Sequence, residues 1–180
     1  NQYTNPVSIP WFTNKAERLS PASKKVLITA GKSGDNIEPF VQLVEEFLET
    51  GERSFFVNET LPTALDNPSI KKFPFRSEAF SSLGCIICRP GMGIITEAVK
   101  YEVPLLTFSN FDNPELEFNA NQIEDLGLGL MNSDISAVIS AMNDLRNSGE
   151  NRNKILVNLK NQRVGGATYA AGLIRDTLIQ

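Results

Sequence analysis

Short apolar runs alternate with longer amphipathic stretches along this chain. The apolar runs are bounded by turn-forming residues and cover residues 24–30, 54–57, 84–88 and 104–108. Apolar residues at helical spacing follow two of these runs, over residues 36–50 and from Ile94 onward. Because strands and helices of this length alternate, the pattern predicts an α/β fold with a doubly wound, parallel, Rossmann-like sheet.

Weaker patterns complete the predicted fold. They indicate strands within residues 70–75 and 126–131, and helices over residues 77–83, 115–120, 135–145, 151–161 and 166–178. Residues 1–23 are rich in Pro, Asn and Ser and are predicted to form an extended lead-in or linker. Residues 24–180 then form one predicted domain, with enough apolar content for its own core.

Two of the predicted strands end in glycine-containing turns that lead into helices, at residues 31–34 and 91–93. Right-handed crossovers place both turns at the same edge of a parallel sheet. A helix that starts there offers unpaired N–H groups and the positive end of its dipole, which suits a phosphate. Gly91 and Gly93 would let a ligand approach the backbone. An ordinary strand-to-helix turn explains the same spacing, so the pattern alone leaves both interpretations open.

Cys85 and Cys88 form a C-x-x-C pattern, which is also found in metal and redox sites. Residues three apart in a strand point to opposite faces and lie about 10 Å apart, too far for a disulfide. The chain has no His and no other Cys to complete a zinc site. Two core thiols in a reducing compartment are therefore predicted. The lack of His also excludes Ser-His and Cys-His catalysis.

Charge and hydropathy exclude two further classes. The formal net charge of −4 argues against a general nucleic-acid-binding protein, which usually presents a basic face. No apolar run approaches the roughly 20 residues that span a bilayer, and no secretory signal is visible. We therefore expect a cytoplasmic protein without a transmembrane segment.

The stretch Arg-Pro-Gly-Met-Gly-Ile-Ile-Thr-Glu at residues 89–97 resembles the donor-nucleotide motif of GT-B glycosyltransferases. The likeness is greatest to the bacterial lipid-linked N-acetylglucosaminyltransferases and to UDP-glycosyltransferases such as the macrolide and glucuronosyl transferases. Residues 5–7, 31–34, 118–120 and 126–131 resemble further stretches of that family in the same order. The resemblance covers most of the chain from Asn5 onward. It corresponds to the C-terminal, donor-binding half of such an enzyme.

The resemblance implies a set of substrate-binding residues. The diphosphate would be held by the turns that contain Gly31, Lys32, Ser33, Gly34, Arg89, Gly91, Met92 and Gly93. Glu97 matches the family glutamate that accepts hydrogen bonds from ribose hydroxyls, and Phe75 lies where the family loop borders the base. The positions that would face the phosphate or the sugar are Asn113, Glu115, Glu117 and Asn119.

Structural interpretations compete with three of these assignments. Glu97 could be a surface glutamate near a helix N-terminus, where the helix dipole favours it. Phe75 could be a core residue beside a short helix, and Glu115 and Glu117 could be solvated helix carboxylates. Leu116 replaces a residue that is often Gln in the family, which leaves the identity of the sugar open.

The leading functional hypothesis is a donor-binding domain that transfers a hexosyl group from a nucleotide sugar, with UDP as the expected nucleotide. In the family, the catalytic base and the acceptor site belong to an N-terminal half, or a separate subunit, that this chain lacks. No catalytic residue is therefore assigned, and we expect the chain alone to be inactive. Any peripheral membrane contact would come through the missing half.

The resemblance implies neither a metal nor another cofactor, because helix dipoles and N–H groups carry the leaving-group charge. Two alternatives stay open. One is a nucleotide-sugar epimerase or hydrolase of the same fold, and the other is a nucleotide-binding subunit that docks a separate acceptor-binding protein.

Overall fold

A computed structural model of the protein describes residues 8–16, 23–31, 37–52, 54–58, 61, 70–109, 111–147 and 149–178. The strands in this part of the chain are β1 (Val26–Thr29), β2 (Phe55–Val57), β3 (Lys71–Lys72), β4 (Cys85–Cys88), β5 (Leu105–Phe108) and β6 (Gly129–Asn132). The helices are α1 (Glu38–Glu49), α2 (Ser77–Phe80), α3 (Met92–Tyr101), α4 (Pro114–Asp125), α5 (Ile135–Arg146), α6 (Glu150–Asn161) and α7 (Gly166–Leu178).

The strands form one parallel sheet in the order β3-β2-β1-β4-β5-β6, which confirms the predicted doubly wound fold. The chain adds strands outward from β1 in one direction and then, from β4, in the other. Thr29 pairs in register with Cys88, so β1 and β4 end at the same level. In such sheets, ligands bind in the crevice beyond the strand ends where the order reverses.

The central strands are apolar throughout because helices cover both faces of the sheet. Every residue of β1, β4 and β5 is buried. Helix α1 buries the stripe Phe40, Leu43, Val44 and Phe47. The Phe40 ring packs edge-on against Phe108 at the end of β5, with ring centroids 5.3 Å apart. These contacts fix the strand ends that border the crevice.

Strand β3 is the short strand that was predicted within residues 70–75. Only Lys71 and Lys72 are in strand conformation, although the N–H of Phe73 still donates to the carbonyl of Val57 at 2.8 Å. Pro74 has no N–H with which to continue the ladder. Phe75 then turns with a positive φ of 42°. The chain therefore leaves the sheet here and enters α2.

Residues 8–16 pack against the body of the domain. The backbone of Trp11 bonds to Arg163 and to Gly166, each at 2.9 Å. The ammonium of Lys15 donates to the carbonyl of Val99 at 3.1 Å and to that of Leu159. These carbonyls lie in the last turns of α3 and α6, where a cation is favoured, so Lys15 ties residues 8–16 to two helix ends.

Both cysteines are buried free thiols, as predicted. The described residues contain no cluster of His, Cys, Asp or Glu that could hold a metal ion. No helix in the same part of the chain combines the length and the apolar character that a membrane crossing needs.

Candidate functional site

A cavity of about 400 Å³ opens beyond the ends of β1 and β4, where the strand order reverses. Its walls are formed by Thr29, Gly31, Phe75, Ser77, Phe80, Arg89, Gly91, Gly93, Ile94 and Glu97. The structure therefore brings together six predicted site positions, namely Gly31, Phe75, Arg89, Gly91, Gly93 and Glu97. The volume lies within the range of small-molecule sites, about 300–1,000 Å³.

Gly91 and Gly93 lie at the N-terminus of α3, on the cavity wall. Gly91 is the N-cap residue, with φ −77° and ψ 149°, a conformation open to any residue. A Cβ atom built on Gly91 or on Gly93 would meet no other described atom within 4 Å. Neither backbone conformation nor packing within the described structure requires glycine here. The open space lies beside the unpaired N–H groups of the first turn of α3, where an anion is favoured.

Gly31 forms the opposite wall, at the end of β1. Its φ of +79° does favour glycine. The buried Asn58 fixes this turn, because its amide donates to the carbonyl of Gly31 at 2.9 Å and its oxygen accepts from the N–H of Ala30 at 3.4 Å. The predicted loop residues Lys32, Ser33 and Gly34 lie outside the described residues.

Phe75 stands at the rim of the cavity with 46% of its surface exposed. Its ring packs edge-on against Phe73, with centroids 5.1 Å apart. A positive φ is uncommon for an aromatic residue and costs of order 1–3 kcal/mol. The surrounding aromatic packing therefore holds an exposed ring in a strained conformation beside the cavity.

Glu97 lies on α3, with its half-buried side chain on the cavity wall. Ser77, the first residue of α2, donates from its hydroxyl to Oε2 of Glu97 at 3.4 Å. Ser77 is not among the site residues that the sequence predicts. The two residues are twenty positions apart and lie on different helices, so no spacing pattern links them.

Arg89 and Cys88 come from the end of β4. The side chain of Arg89 is half-buried and crosses the turn toward Gly31, where its Cδ lies 3.9 Å from the position of a Cβ. It brings a positive charge to the cavity wall. Burial raises the pKa of the Cys88 thiol to about 12, so this residue stays neutral and is no nucleophile.

The other predicted positions that the structure describes lie outside this cavity wall. Asn113 caps α4, since its side-chain oxygen accepts from the N–H groups of Glu115 (2.9 Å) and Leu116 (3.4 Å). Asn119 is buried and donates to the carbonyl of Pro90 at 2.9 Å, which supports the Gly91 turn from behind. Glu117, like Glu115, is exposed on the first turn of α4.

Met92 points away from the six clustered positions. Together with Asn119 it lines a separate, apolar cavity of about 180 Å³ between α3, α4 and Trp11. Its side chain is half exposed there, although its backbone still belongs to the first turn of α3.

No protein-family model matches this sequence, and a search of characterised proteins finds no relative. Solved structures of glycosyltransferases share its fold. CalG4, the calicheamicin glycosyltransferase, matches with a TM-score of 0.64 and 18% identity over 91% of this chain and 46% of its own. A UDP-glucose:anthocyanidin 3-O-glucosyltransferase in complex with UDP matches with a TM-score of 0.61 and 19% identity, over 78% and 35%.

The glycosyltransferase SsfS6 from Streptomyces sp. SF2575, complexed with thymidine diphosphate, matches with a TM-score of 0.52 and 15% identity, over 78% and 38%. The chain thus spans less than half the length of these structures. They are glycosyltransferases of the GT-B fold. At the level of fold, the comparison confirms the resemblance that the sequence predicted, to one half of a GT-B enzyme.

Proposed function

We propose that this chain is the nucleotide-sugar donor-binding domain of a GT-B glycosyltransferase, and that its donor is a UDP-sugar. One observation carries the proposal. At the point where the strand order reverses, a cavity combines a helix N-terminus, glycines that the packing of the described residues does not require, and a carboxylate on the same helix. These are the groups that a nucleoside diphosphate needs.

The diphosphate would lie at the N-terminus of α3. The first N–H groups of the helix are unpaired donors, and the helix dipole favours negative charge there. The open space beside Gly91 and Gly93 lets the phosphate oxygens come within hydrogen-bond distance of the backbone. Arg89 supplies a positive charge on the same wall. The same groups would stabilise the charge that develops on the leaving nucleotide.

The nucleoside would extend along α3 from the phosphates. Glu97 lies about one and a half turns beyond Gly91, which suits the length of a ribose. An ionised carboxylate only accepts hydrogen bonds, and a ribose offers two neighbouring hydroxyl donors. Phe75 at the rim offers an exposed aromatic surface to the base. The assignment of UDP rests on the resemblance and on the UDP complex among the structural neighbours.

The sugar would lie toward the start of α4, where Asn113, Glu115 and Glu117 present polar groups. In this structure the oxygen of Asn113 is already used as a helix cap. The acceptor and the catalytic base would come from a second domain or subunit. We therefore expect donor binding by this chain, and no transfer.

Calorimetry and thermal denaturation with UDP, ADP and GDP test the proposal. A ligand at a hundredfold excess over its Kd stabilises the native state by about 2.7 kcal/mol, which corresponds to roughly 5–10 °C for a domain of this size. UDP should give the largest shift. A larger shift with ADP or GDP would contradict the donor assignment.

Glu97→Ala should weaken UDP binding by about ten- to a hundredfold, because hydrogen bonds to a charged group contribute roughly 1.5–3 kcal/mol. Glu45→Ala is the matched control, since Glu45 is an exposed carboxylate on α1 away from the cavity wall. Equal affinities in the two variants would remove Glu97 from the site. NMR tests the alternative of an epimerase or hydrolase. The wild-type chain is incubated with a UDP-sugar, and an epimerised or hydrolysed sugar among the products would favour that alternative.

A further inference from the structure

The hydroxyl of Ser77 is the centre of a hydrogen-bond network on the cavity wall. It accepts from the ammonium of Lys100 at 2.6 Å and from the hydroxyl of Tyr101 at 2.9 Å. It donates to Oε2 of Glu97 at 3.4 Å. Ser77 is the first helical residue of α2, after the N-cap residue Arg76, and its hydroxyl contacts α3.

Only one arrangement of protons satisfies these contacts. An ammonium only donates and an ionised carboxylate only accepts. Ser77 must therefore accept from Lys100 and give its single proton to Glu97. Tyr101 must then donate to the second lone pair of Ser77. The hydroxyl uses its full capacity, and each member of the network fixes the next.

The aromatic cluster beneath the cavity holds the network in place. Tyr101 is buried and stacks on Phe80, with centroids 6.4 Å apart and ring planes 13° from parallel. The ammonium of Lys100 lies 5.1 Å from the centre of the Tyr101 ring. Since neither donor moves freely, Ser77 has a fixed position from which to hold one oxygen of Glu97.

Ser77 therefore donates to one carboxylate oxygen of Glu97, Oε2, from the same cavity wall. Among the described residues, Ser77 is the group that donates to it, so Oε1 remains available to a ligand in the cavity. Groups held in the required geometry bind more tightly, because less side-chain freedom is lost on binding. An oriented acceptor also distinguishes a hydroxyl from its absence better than a mobile one does.

We infer that Ser77, held by Lys100 and Tyr101, is a positioning residue that makes this cavity select ribonucleotides over 2′-deoxyribonucleotides. The inference rests on the proposed function. It also separates two ligand classes seen among the structural neighbours, since one contains UDP and another contains thymidine diphosphate, a 2′-deoxynucleotide. The ligand of this site is a ribonucleoside diphosphate.

The test is calorimetric titration of the whole chain with UDP and with 2′-deoxy-UDP. Wild type should bind UDP at least about tenfold more tightly than the deoxy analogue. Ser77→Ala should lower that ratio to about threefold or less by weakening UDP, with little change for 2′-deoxy-UDP. Ser77→Thr keeps the hydroxyl and should keep the ratio. Ser82→Ala is the control, because the Ser82 hydroxyl donates to the carbonyl of Ala79 at 2.8 Å and Ser82 is not part of the cavity wall among the described residues.

A double-mutant cycle distinguishes positioning from direct contact. If Ser77 acts through Glu97, then adding Ser77→Ala to Glu97→Ala should not weaken UDP further. Additive losses, an unchanged ratio in Ser77→Ala, or equal losses for both ligands would each overturn the inference while leaving UDP binding established. Absence of UDP binding by the folded wild-type chain would overturn the proposed function and this inference together.

Titration with 5-methyl-UDP distinguishes the effect of the 2′-hydroxyl from the effect of a methyl group on the base. Thymidine diphosphate lacks the 2′-hydroxyl and also carries a methyl group on its base. With 5-methyl-UDP, which keeps the hydroxyl, the inference expects UDP-like affinity and the same sensitivity to Ser77→Ala. If 5-methyl-UDP binds wild type as tightly as UDP but loses no affinity in Ser77→Ala, the role of Ser77 is disproved.

Discussion

The glycines at the two edges of the sheet differ in what surrounds the missing side chain. Gly84 precedes β4 and Gly129 begins β6, so both lie at the edge where strands start. A Cβ on Gly84 would overlap the carbonyl of Ser23, and one on Gly129 would overlap the carbonyl of Leu105. At the other edge, Gly91 and Gly93 have open space. The first pair serves the chain's own packing, and the second pair leaves room for a group that the described residues do not supply.

Gly31 is intermediate between these two pairs. Its φ of +79° favours glycine, but a Cβ there would make only an ordinary contact with Arg89, at 3.9 Å. It also lines the cavity. The comparison therefore separates three physical reasons for glycine, namely close packing, backbone conformation and space for a ligand. Substitutions at Gly129, Gly31 and Gly93 test them one at a time.

The largest effect is expected for Gly129→Ala. The new methyl group would overlap a backbone carbonyl of the neighbouring strand, which cannot move without disturbing the β5–β6 pairing. We expect a loss of about 3 kcal/mol in the free energy of unfolding, the upper part of the range for overpacking. Urea denaturation measures it. Gly172→Ala is the control, because a Cβ at Gly172 in α7 meets no described atom. Similar stabilities of the two variants would contradict the packing argument.

Gly93→Val should differ from Gly129→Ala, because we expect it to weaken ligand binding strongly and to change stability little. A branched side chain would occupy the space where the phosphates are proposed to approach. We expect UDP affinity to fall at least tenfold, or about 1.4 kcal/mol. Gly172→Val should leave affinity unchanged. Wild-type affinity in a folded Gly93→Val variant would return this turn to an ordinary strand-to-helix connection.

Local pattern and chain handedness were enough to predict most of the fold. The apolar runs at 24–30, 84–88 and 104–108 contain the three strands that are buried throughout. Right-handed crossovers then set the two glycine turns at one edge, and the parallel pairing of β1 with β4 confirms that arrangement. The short strand expected within residues 70–75 is β3, which ends at Lys72 because Phe73 and Phe75 join an aromatic cluster.

The contacts within the site could not be predicted in the same way. Ser77 and Glu97 meet only because α2 packs on α3, and Asn119 reaches Pro90 across 29 positions. Such pairs depend on tertiary packing, which neither periodicity nor motif spacing specifies. The same limit applies to Asn113, whose cap on α4 depends on where the helix begins. Motif resemblance indicated residue types for a site, but it did not indicate which of them already bond to the protein.

A smaller loss of stability is expected for Gly31→Ala. The left-handed conformation costs a residue with a side chain about 1 kcal/mol, and no overlap adds to it. Gly31→Asn should recover part of the loss, because asparagine adopts this conformation more readily. Thermal denaturation without ligand measures both variants. Equal destabilisation by Ala and Asn would show that packing, and not φ, determines this glycine.

The smallest expected effect is an increase in stability for Gly93→Ala. Glycine in a helix costs up to about 1 kcal/mol relative to alanine. Gly93 lies in the first turn, where fewer helical hydrogen bonds depend on it, so about 0.5 kcal/mol is expected. The methyl group meets open space, so no packing loss opposes the gain. Denaturation without ligand should therefore show a higher midpoint, and calorimetry should show weaker UDP binding in the same variant. Opposite signs for stability and binding would separate Gly93 from Gly129, where stability must fall. A lower midpoint for Gly93→Ala would mean that this glycine, too, serves the fold.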